Sequence, residues 1–194
     1  MEAIETFETA GFTVSIYQEE DPGSPREWDN LGKMVCWHRR ANLGDETIKT
    51  SNYQNMDELV ASFNALVCIP LYLYEHSGMT MTASYETYLR YPDRQWDAGQ
   101  VGFIYVTEET LRKEYSIQPG QDIPPETLAL VKQVLVGEVE EYDQYLTGDV
   151  YGYVVKDTAG EHVDSCWGFF GLEYAREEAQ AALASASDKK EVQP

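Results

Sequence analysis

Four residues of the sequence have side chains that could bind a metal ion or take part in nucleophilic chemistry: Cys36, His38, His76 and Cys166. Zinc accepts cysteine and histidine ligands in a tetrahedral arrangement. Cys36 and His38 are two residues apart, so on a strand both would point to the same face. The spacing of the four matches no zinc module, however, and a core thiol beside a histidine explains it equally well. A cysteine nucleophile with a histidine base and Asp164 is a second way to use these residues.

Acidic side chains are crowded into two stretches in the last third of the chain. We predict that eight of them form a partner-binding surface: Glu138, Glu140, Glu141, Asp143, Asp149, Glu173, Glu177 and Glu178. Neighbouring carboxylates such as Glu140 and Glu141 could also exchange protons. A solvated helix face is the simplest explanation of the same pair.

The net charge indicates which class of partner to expect. The sequence has 34 acidic and 14 basic residues, a net charge of −20. B-DNA carries one charge per about 1.7 Å of axis, so 20 charges correspond to about 34 Å of duplex. A folded chain of this length has a diameter of about 40 Å. The excess charge is therefore that of a DNA segment of similar size, which disfavours direct nucleic-acid binding and anionic membranes. It favours a basic, nucleic-acid-binding protein as partner.

Cysteine usage and hydropathy indicate a protein of the cytoplasm. The three cysteines are far apart in sequence and form no Cys-x-x-Cys pair, which is typical of reduced thiols. No apolar run approaches the roughly 18 residues of a membrane helix, and the first residues are acidic where a signal peptide would be basic.

The sequence contains no phosphate-binding glycine loop, no His-Glu-x-x-His and no Gly-x-Ser-x-Gly. The Arg39–Arg40 pair could hold a phosphate, although two arginines among so many acids more often form local ion pairs. Aromatic residues are frequent, and five tyrosines cluster between residues 70 and 94. They could pack against the sheet or form a protein-binding face. We expect no cofactor, and binding is favoured over catalysis.

Turn signals and hydrophobic periodicity predict the strands and helices that position these residues. Three units of the sequence each combine an acid, a glycine turn and a short apolar strand. These units end at Trp37, Val106 and Val155, and we predict that their strands share one central sheet. Residues 1–10 are predicted to be a short helix or a loose arm. The clearest helix is predicted over residues 125–146. These elements predict an α+β fold, a mainly antiparallel sheet packed against two or three helices. We predict a single domain over residues 1–186 and a flexible tail over 187–194.

Several strings of the sequence resemble a family of small uncharacterised acidic proteins of phages and mobile elements. The likeness covers most of residues 25–171 and is carried by the strings at 27–32, 35–40, 71–78, 96–102, 142–152 and 164–168. The resemblance implies a phage or plasmid product that acts inside a bacterium, and it transfers no activity and no site residues.

The negative net charge and the phage or plasmid setting implied by the resemblance together predict an inhibitor of a bacterial defence system, of the anti-CRISPR or antirestriction type. Such a DNA mimic would place carboxylates in the basic groove that holds nucleic acid in the host complex. Two alternatives stay open: a small metal-binding protein or enzyme that uses the Cys and His residues, and an acidic accessory protein without mimicry. The oligomeric state, including a homodimer, is also open.

Overall fold

The computed structural model describes residues 2–9 and 11–191, with the backbone alone for residues 188–191. Contacts between residues divide the chain into two compact units. Unit 1 comprises residues 1–23 and 144–194, and unit 2 comprises residues 24–143. Each unit has its own sheet, and the predicted α+β class is confirmed.

Unit 1 contains a four-stranded antiparallel sheet in the order β1-β2-β8-β9, with helix α6 against it. These elements are β1 (Glu5–Thr9), β2 (Phe12–Gln18), β8 (Val150–Asp157), β9 (His162–Phe170) and α6 (Leu172–Glu191). The predicted helix or loose arm at the N-terminus is wrong, because β1 pairs with β2 in register, with Phe7 opposite Val14. Helix α6 extends through residues 187–191 of the predicted flexible tail, and residues 192–194 of that tail lie outside the described residues.

The core of unit 1 follows from alternation in the strands. Val14 and Ile16 of β2 are fully buried beside Val155 of β8. Ala175 and Ala179 of α6 lie against them, and the small alanine side chains let the helix approach the sheet closely. Gly152 allows a second close approach, since a Cβ there would overlap the ring of Trp167 on the paired strand.

Unit 2 contains a five-stranded sheet in the order β4-β3-β7-β5-β6, antiparallel except for the β3–β4 pair. The strands are β3 (Lys33–Cys36), β4 (Glu46–Thr47), β5 (Ala65–Glu75), β6 (Met79–Thr82) and β7 (Ala98–Thr107). The helices that begin in this part of the chain are α1 (Met56–Ala61), α2 (Tyr85–Arg90), α3 (Arg94–Asp97), α4 (Glu108–Glu114) and α5 (Pro125–Thr147). The prediction of one shared central sheet is therefore wrong: β3 and β7 belong to this sheet and β8 to that of unit 1.

Helix α5 is the predicted 125–146 helix with one further residue. Its buried side chains are spaced three or four residues apart, as the periodicity predicts: Val131, Leu135, Val139 and Tyr142. Gly148 follows with φ of 73°, the left-handed conformation that ends helices and favours glycine. No helix of the described residues is both long enough and apolar enough to cross a membrane.

Candidate functional site

Glu138 lies inside the fold rather than on a partner-binding surface. Its side chain is 10% exposed and accepts a hydrogen bond from Arg26 Nη1 at 2.9 Å. The other carboxylate oxygen accepts from the backbone N–H groups of Leu31 and Gly32, at 2.9 and 3.1 Å. Glu138 therefore fixes the loop before β3 to helix α5, which corrects its predicted role as a partner contact.

Asp143 also accepts hydrogen bonds from residues of unit 2. Its Oδ1 accepts from Thr80 Oγ1 at 2.7 Å and from the backbone N–H of Met81 at 2.6 Å. Glu141 is partly buried, and burial together with the neighbouring charge of Glu138 raises its pKa. These carboxylates face the protein, so the predicted acidic surface is not continuous along α5.

The remaining predicted contacts lie nearer to solvent. Glu140, Glu173 and Glu177 are exposed, whereas Glu178 and Asp149 are half-buried. Glu173 forms an ion pair with Arg176, and the same arginine binds Glu5 of β1. The hydrogen bonds from Arg176 lower the pKa of Glu5. Burial, with a hydrogen bond to Asp149, raises the pKa of Tyr151 to about 12.

The excess charge is unequal between the two units. Unit 1 has 15 acidic and 4 basic residues in 74 positions, a net of −11, and unit 2 has 19 acidic and 10 basic residues in 120 positions, a net of −9. The negative charge per residue is thus about twice as high in unit 1. Among the residues described in unit 1, only Glu5 and Glu173 form ion pairs with arginine.

A cleft in unit 1 is lined by four of these acids. It has a volume of about 670 Å³, and the carboxylates of Glu2, Glu19, Glu20 and Asp21 line it together with Ile4, Pro22 and Tyr145. Glu19 also accepts a hydrogen bond from the backbone N–H of Gly168 at 2.9 Å, which attaches the start of this acidic segment to β9.

The four Cys and His residues singled out in the sequence occupy separate surroundings. Cys36 is fully buried in β3, and burial raises the pKa of its thiol to about 12. Cys166 is exposed on β9 in unit 1. His38 and His76 each contact a different carboxylate. Within the residues described, no group of three or more Cys, His, Asp or Glu side chains is arranged to hold a metal ion. The shared Cys–His site of the metal alternative is thus not formed.

His38 lies at a cavity of unit 2, which we call the Trp96 cavity. Its volume is about 600 Å³. Its walls come from the segment after β3, the end of β5 and the junction between α3 and β7, and its principal lining residues are Trp37, His38, Arg39, Arg40, Leu73, Glu75, Trp96, Asp97 and Val101.

Glu75 organises the polar side of the Trp96 cavity. Its Oε1 accepts from Arg40 Nη2 at 2.8 Å, and its Oε2 lies 3.3 Å from His38 Nε2. The hydrogen bond from Arg40 is the main cause of the lowered pKa of Glu75, which is therefore ionised at neutral pH. The carboxylate thus holds two flexible side chains in place.

His38 is held in one tautomer by its neighbours. The backbone N–H of Ala41 donates to His38 Nδ1 at 3.1 Å, so Nδ1 must carry a lone pair. The ring proton is then on Nε2 and faces Glu75. Because both ring nitrogens are used, His38 positions other groups and has no free nitrogen for proton transfer.

His76 does not line the Trp96 cavity and contacts it only through Asp97, one of the lining residues. Its Nδ1 lies 3.0 Å from Asp97 Oδ2, and its ring stacks on Tyr74. The side chain is 64% exposed. The Trp96 cavity itself combines aromatic side chains with charged ones.

No motif of the sequence marked Trp96, Glu75 and Asp97 as cavity residues. Trp96 is 82% exposed, and Asp97 is the acid of the unit that ends at Val106, in which a glycine turn was predicted. In the structure α3 ends at Asp97 and β7 begins directly at Ala98, so the predicted turn is wrong. The available signal was that charged or aromatic residues flank the ends of three strands, at 37–40, 75–76 and 96–97. Strand ends that are adjacent in one sheet bring such residues together.

The predicted tyrosine cluster is mainly a packing feature. Tyr72 stacks on Tyr88 of α2 with ring centroids 4.6 Å apart, and Tyr74 stacks on Tyr91 at 4.9 Å. Tyr85 remains 57% exposed at its edge.

The chain was compared with models of protein families, with curated proteins and with solved structures. No family model, no curated protein and no solved structure matches it.

Proposed function

We propose that the protein binds a basic nucleic-acid-binding protein of a bacterial host and blocks the groove that holds its nucleic acid. In this proposal it is a phage or mobile-element product that acts in the host cytoplasm against a defence complex, as anti-CRISPR and antirestriction proteins do. The binding surface is assigned to unit 1, which contains four of the eight carboxylates predicted from the sequence: Asp149, Glu173, Glu177 and Glu178.

The observation that carries the proposal is the concentration of charge in unit 1. A net charge of −11 lies on 74 residues there, and its acids are mostly without arginine partners among the described residues. Unpaired surface carboxylates add to a common field, whereas paired ones cancel locally. Such a field accelerates association with a positively charged groove and suppresses binding to DNA, RNA and anionic lipid.

The acidic cleft of unit 1 places several of these carboxylates next to one another. Glu20 and Asp21 are exposed beside it and follow directly on Glu19, whose position is fixed by Gly168. Carboxylates held in this way can each accept charge-assisted hydrogen bonds from arginine or lysine side chains of a partner. Glu177, exposed on α6, is a further charge of the same unit.

A pair of charge-reversal variants tests the proposal. The unit 1 variant carries Glu20→Lys, Asp21→Lys and Glu177→Lys. The control carries Glu86→Lys, Glu109→Lys and Glu140→Lys, all exposed residues of unit 2. Both variants change the net charge by the same amount. Each is expressed in bacteria that carry a restriction or CRISPR system, and phage plating and plasmid transformation are measured.

We expect the wild type and the control variant to raise plating or transformation, and the unit 1 variant to lose most of this effect. Binding of the purified wild type to the affected complex should weaken steeply between low and physiological salt, and the nucleic acid of that complex should compete with it. Equal inhibition by both variants would contradict the assignment to unit 1. Absence of inhibition by the wild type in every system tested would contradict the function.

A further inference from the structure

The Trp96 cavity contains an arginine that no carboxylate of the described residues binds. Glu75 is bonded to Arg40 and His38, and Asp97 is bonded to His76, so both carboxylates of the cavity already have partners. Arg39 is exposed at the same cavity, and in the described part of the chain it has no ion pair or hydrogen bond. In a chain with 34 acids, an arginine at a cavity that no carboxylate has taken is available to a ligand.

Arg40 adds further hydrogen-bond donors to the same cavity. Only its Nη2 is used, in the bond to Glu75, so the other N–H groups of its guanidinium remain available while its position is fixed. Two neighbouring arginines, of which one is already oriented, suit the several oxygens of a phosphate group.

The apolar part of the cavity suits a flat ring. Trp96 is 82% exposed, although burying a tryptophan side chain is favourable, and Trp37 lines the same cavity. Leu73 and Val101, which are almost completely buried, form its apolar base. Aromatic faces next to arginines are the groups on which proteins stack nucleobases. A volume of about 600 Å³ is within the range of small-molecule sites.

We propose that the Trp96 cavity binds a nucleoside monophosphate, with the base against Trp96 and the phosphate on Arg39 and Arg40. A mononucleotide carries a phosphate, which the two arginines can bind, and a flat base, which can stack on tryptophan. Because the excess negative charge of the protein repels a long polyanion much more than one phosphate, a free nucleotide is preferred over a nucleic-acid strand. This site lies in unit 2 and is independent of the partner surface proposed for unit 1.

Isothermal titration calorimetry of the full chain tests the proposal with AMP, UMP, adenosine, ribose phosphate and inorganic phosphate as probes. The variants are Arg39→Ala and Trp96→Ala. Their matched controls are Arg90→Ala and Trp28→Ala, since Arg90 is an exposed arginine and Trp28 is a tryptophan 53% exposed, and neither lines this cavity. Circular dichroism confirms that each variant is folded.

We expect AMP or UMP to bind more tightly than adenosine, ribose phosphate or phosphate. Arg39→Ala and Trp96→Ala should each weaken nucleotide binding by about tenfold or more, with Arg90→Ala and Trp28→Ala unchanged. The proposal is overturned if no nucleotide binds up to about 10 mM. It is equally overturned if phosphate or ribose phosphate binds as tightly as the nucleotides, or if the control variants weaken binding as much as the cavity variants.

Discussion

Arg26 donates to Glu138 across 2.9 Å, and this ion pair joins a loop to a helix 112 residues later in the chain. The guanidinium also binds both oxygens of Asp45 and the backbone oxygen of Gly32, and its side chain is only 4% exposed. Burial opposes the charge of Arg26, yet the hydrogen bonds to Asp45 and Glu138 outweigh it and raise the pKa. Glu138, which was predicted to be a partner contact, therefore stabilises the fold instead.

Loss of this pair should be costly. Glu138→Ala leaves the buried Arg26 with one carboxylate and removes the acceptor of two backbone N–H groups. We expect the free energy of unfolding to fall by about 3–5 kcal/mol, measured by urea denaturation. Glu140→Ala, two residues away and exposed, should change it by less than about 0.5 kcal/mol. Similar effects of the two substitutions would show that Glu138 is not needed for folding.

The three cysteines should differ in reactivity. Burial raises the pKa of Cys36 to about 12 and that of Cys68 to about 11, whereas Cys166 is exposed. Since the thiolate is the reactive form, iodoacetamide at pH 8 should modify Cys166 first and leave Cys36 unmodified. Peptide mass spectrometry measures the order. In denaturant all three should react alike, and early modification of Cys36 in the folded protein would contradict its burial.

The Glu5–Arg176 pair should make stability depend on acid. Because hydrogen bonds from Arg176 lower the pKa of Glu5 below its ordinary value of 4.5, the stabilisation is fully present above pH 4.5 and is lost as the pH falls through the lowered value. Glu5→Gln should therefore lower the melting temperature at pH 6, and the difference from the wild type should shrink as the pH falls through the lowered pKa. Glu8→Gln, on the same strand, is the control. A constant difference between Glu5→Gln and the wild type over this range would exclude the pair as its cause.

Two glycines should respond in opposite ways to alanine. A Cβ at Gly102 of β7 would overlap the carbonyl oxygen of Val35 and the sulfur of Cys36, so Gly102→Ala should destabilise by about 1–3 kcal/mol. A Cβ at Gly137 of α5 meets nothing within 4 Å, so Gly137→Ala should stabilise by about 0.5–1 kcal/mol. Urea denaturation gives both values. Stabilisation by Gly102→Ala would mean that β3 and β7 do not approach so closely.

Local signals predicted most elements because the relevant contacts are close in sequence. The side chain of Thr107 accepts from the backbone N–H of Thr110, as expected of a helix N-cap. Pro70 has no N–H group to donate to a neighbouring strand, and a register shift follows it between Leu71 and Tyr72. The alternation of apolar and polar residues in β2 likewise matches its burial, with Phe12, Val14 and Ile16 buried.

Long-range pairing explains what the sequence did not predict. Strand β1 was missed because its polar residues form a strand only when β2 provides a partner. Glu138 carries the same charge pattern as Glu140, and only the position of Arg26 distinguishes them. The Trp96 cavity is assembled from three segments between residues 37 and 101, which no local pattern connects.

The pairing of β2 with β8 has a consequence for synthesis on the ribosome. About 130 residues separate these neighbouring strands, so at ~5–20 residues per second the first hairpin waits on the order of 6–26 seconds for its partner. Residues 24–143 emerge in that interval and contain all the strands of their own sheet. The sheet of unit 1 is thus completed later in synthesis, although β1 and β2 are translated before the strands of unit 2, and until then its hydrophobic face is a target for chaperones.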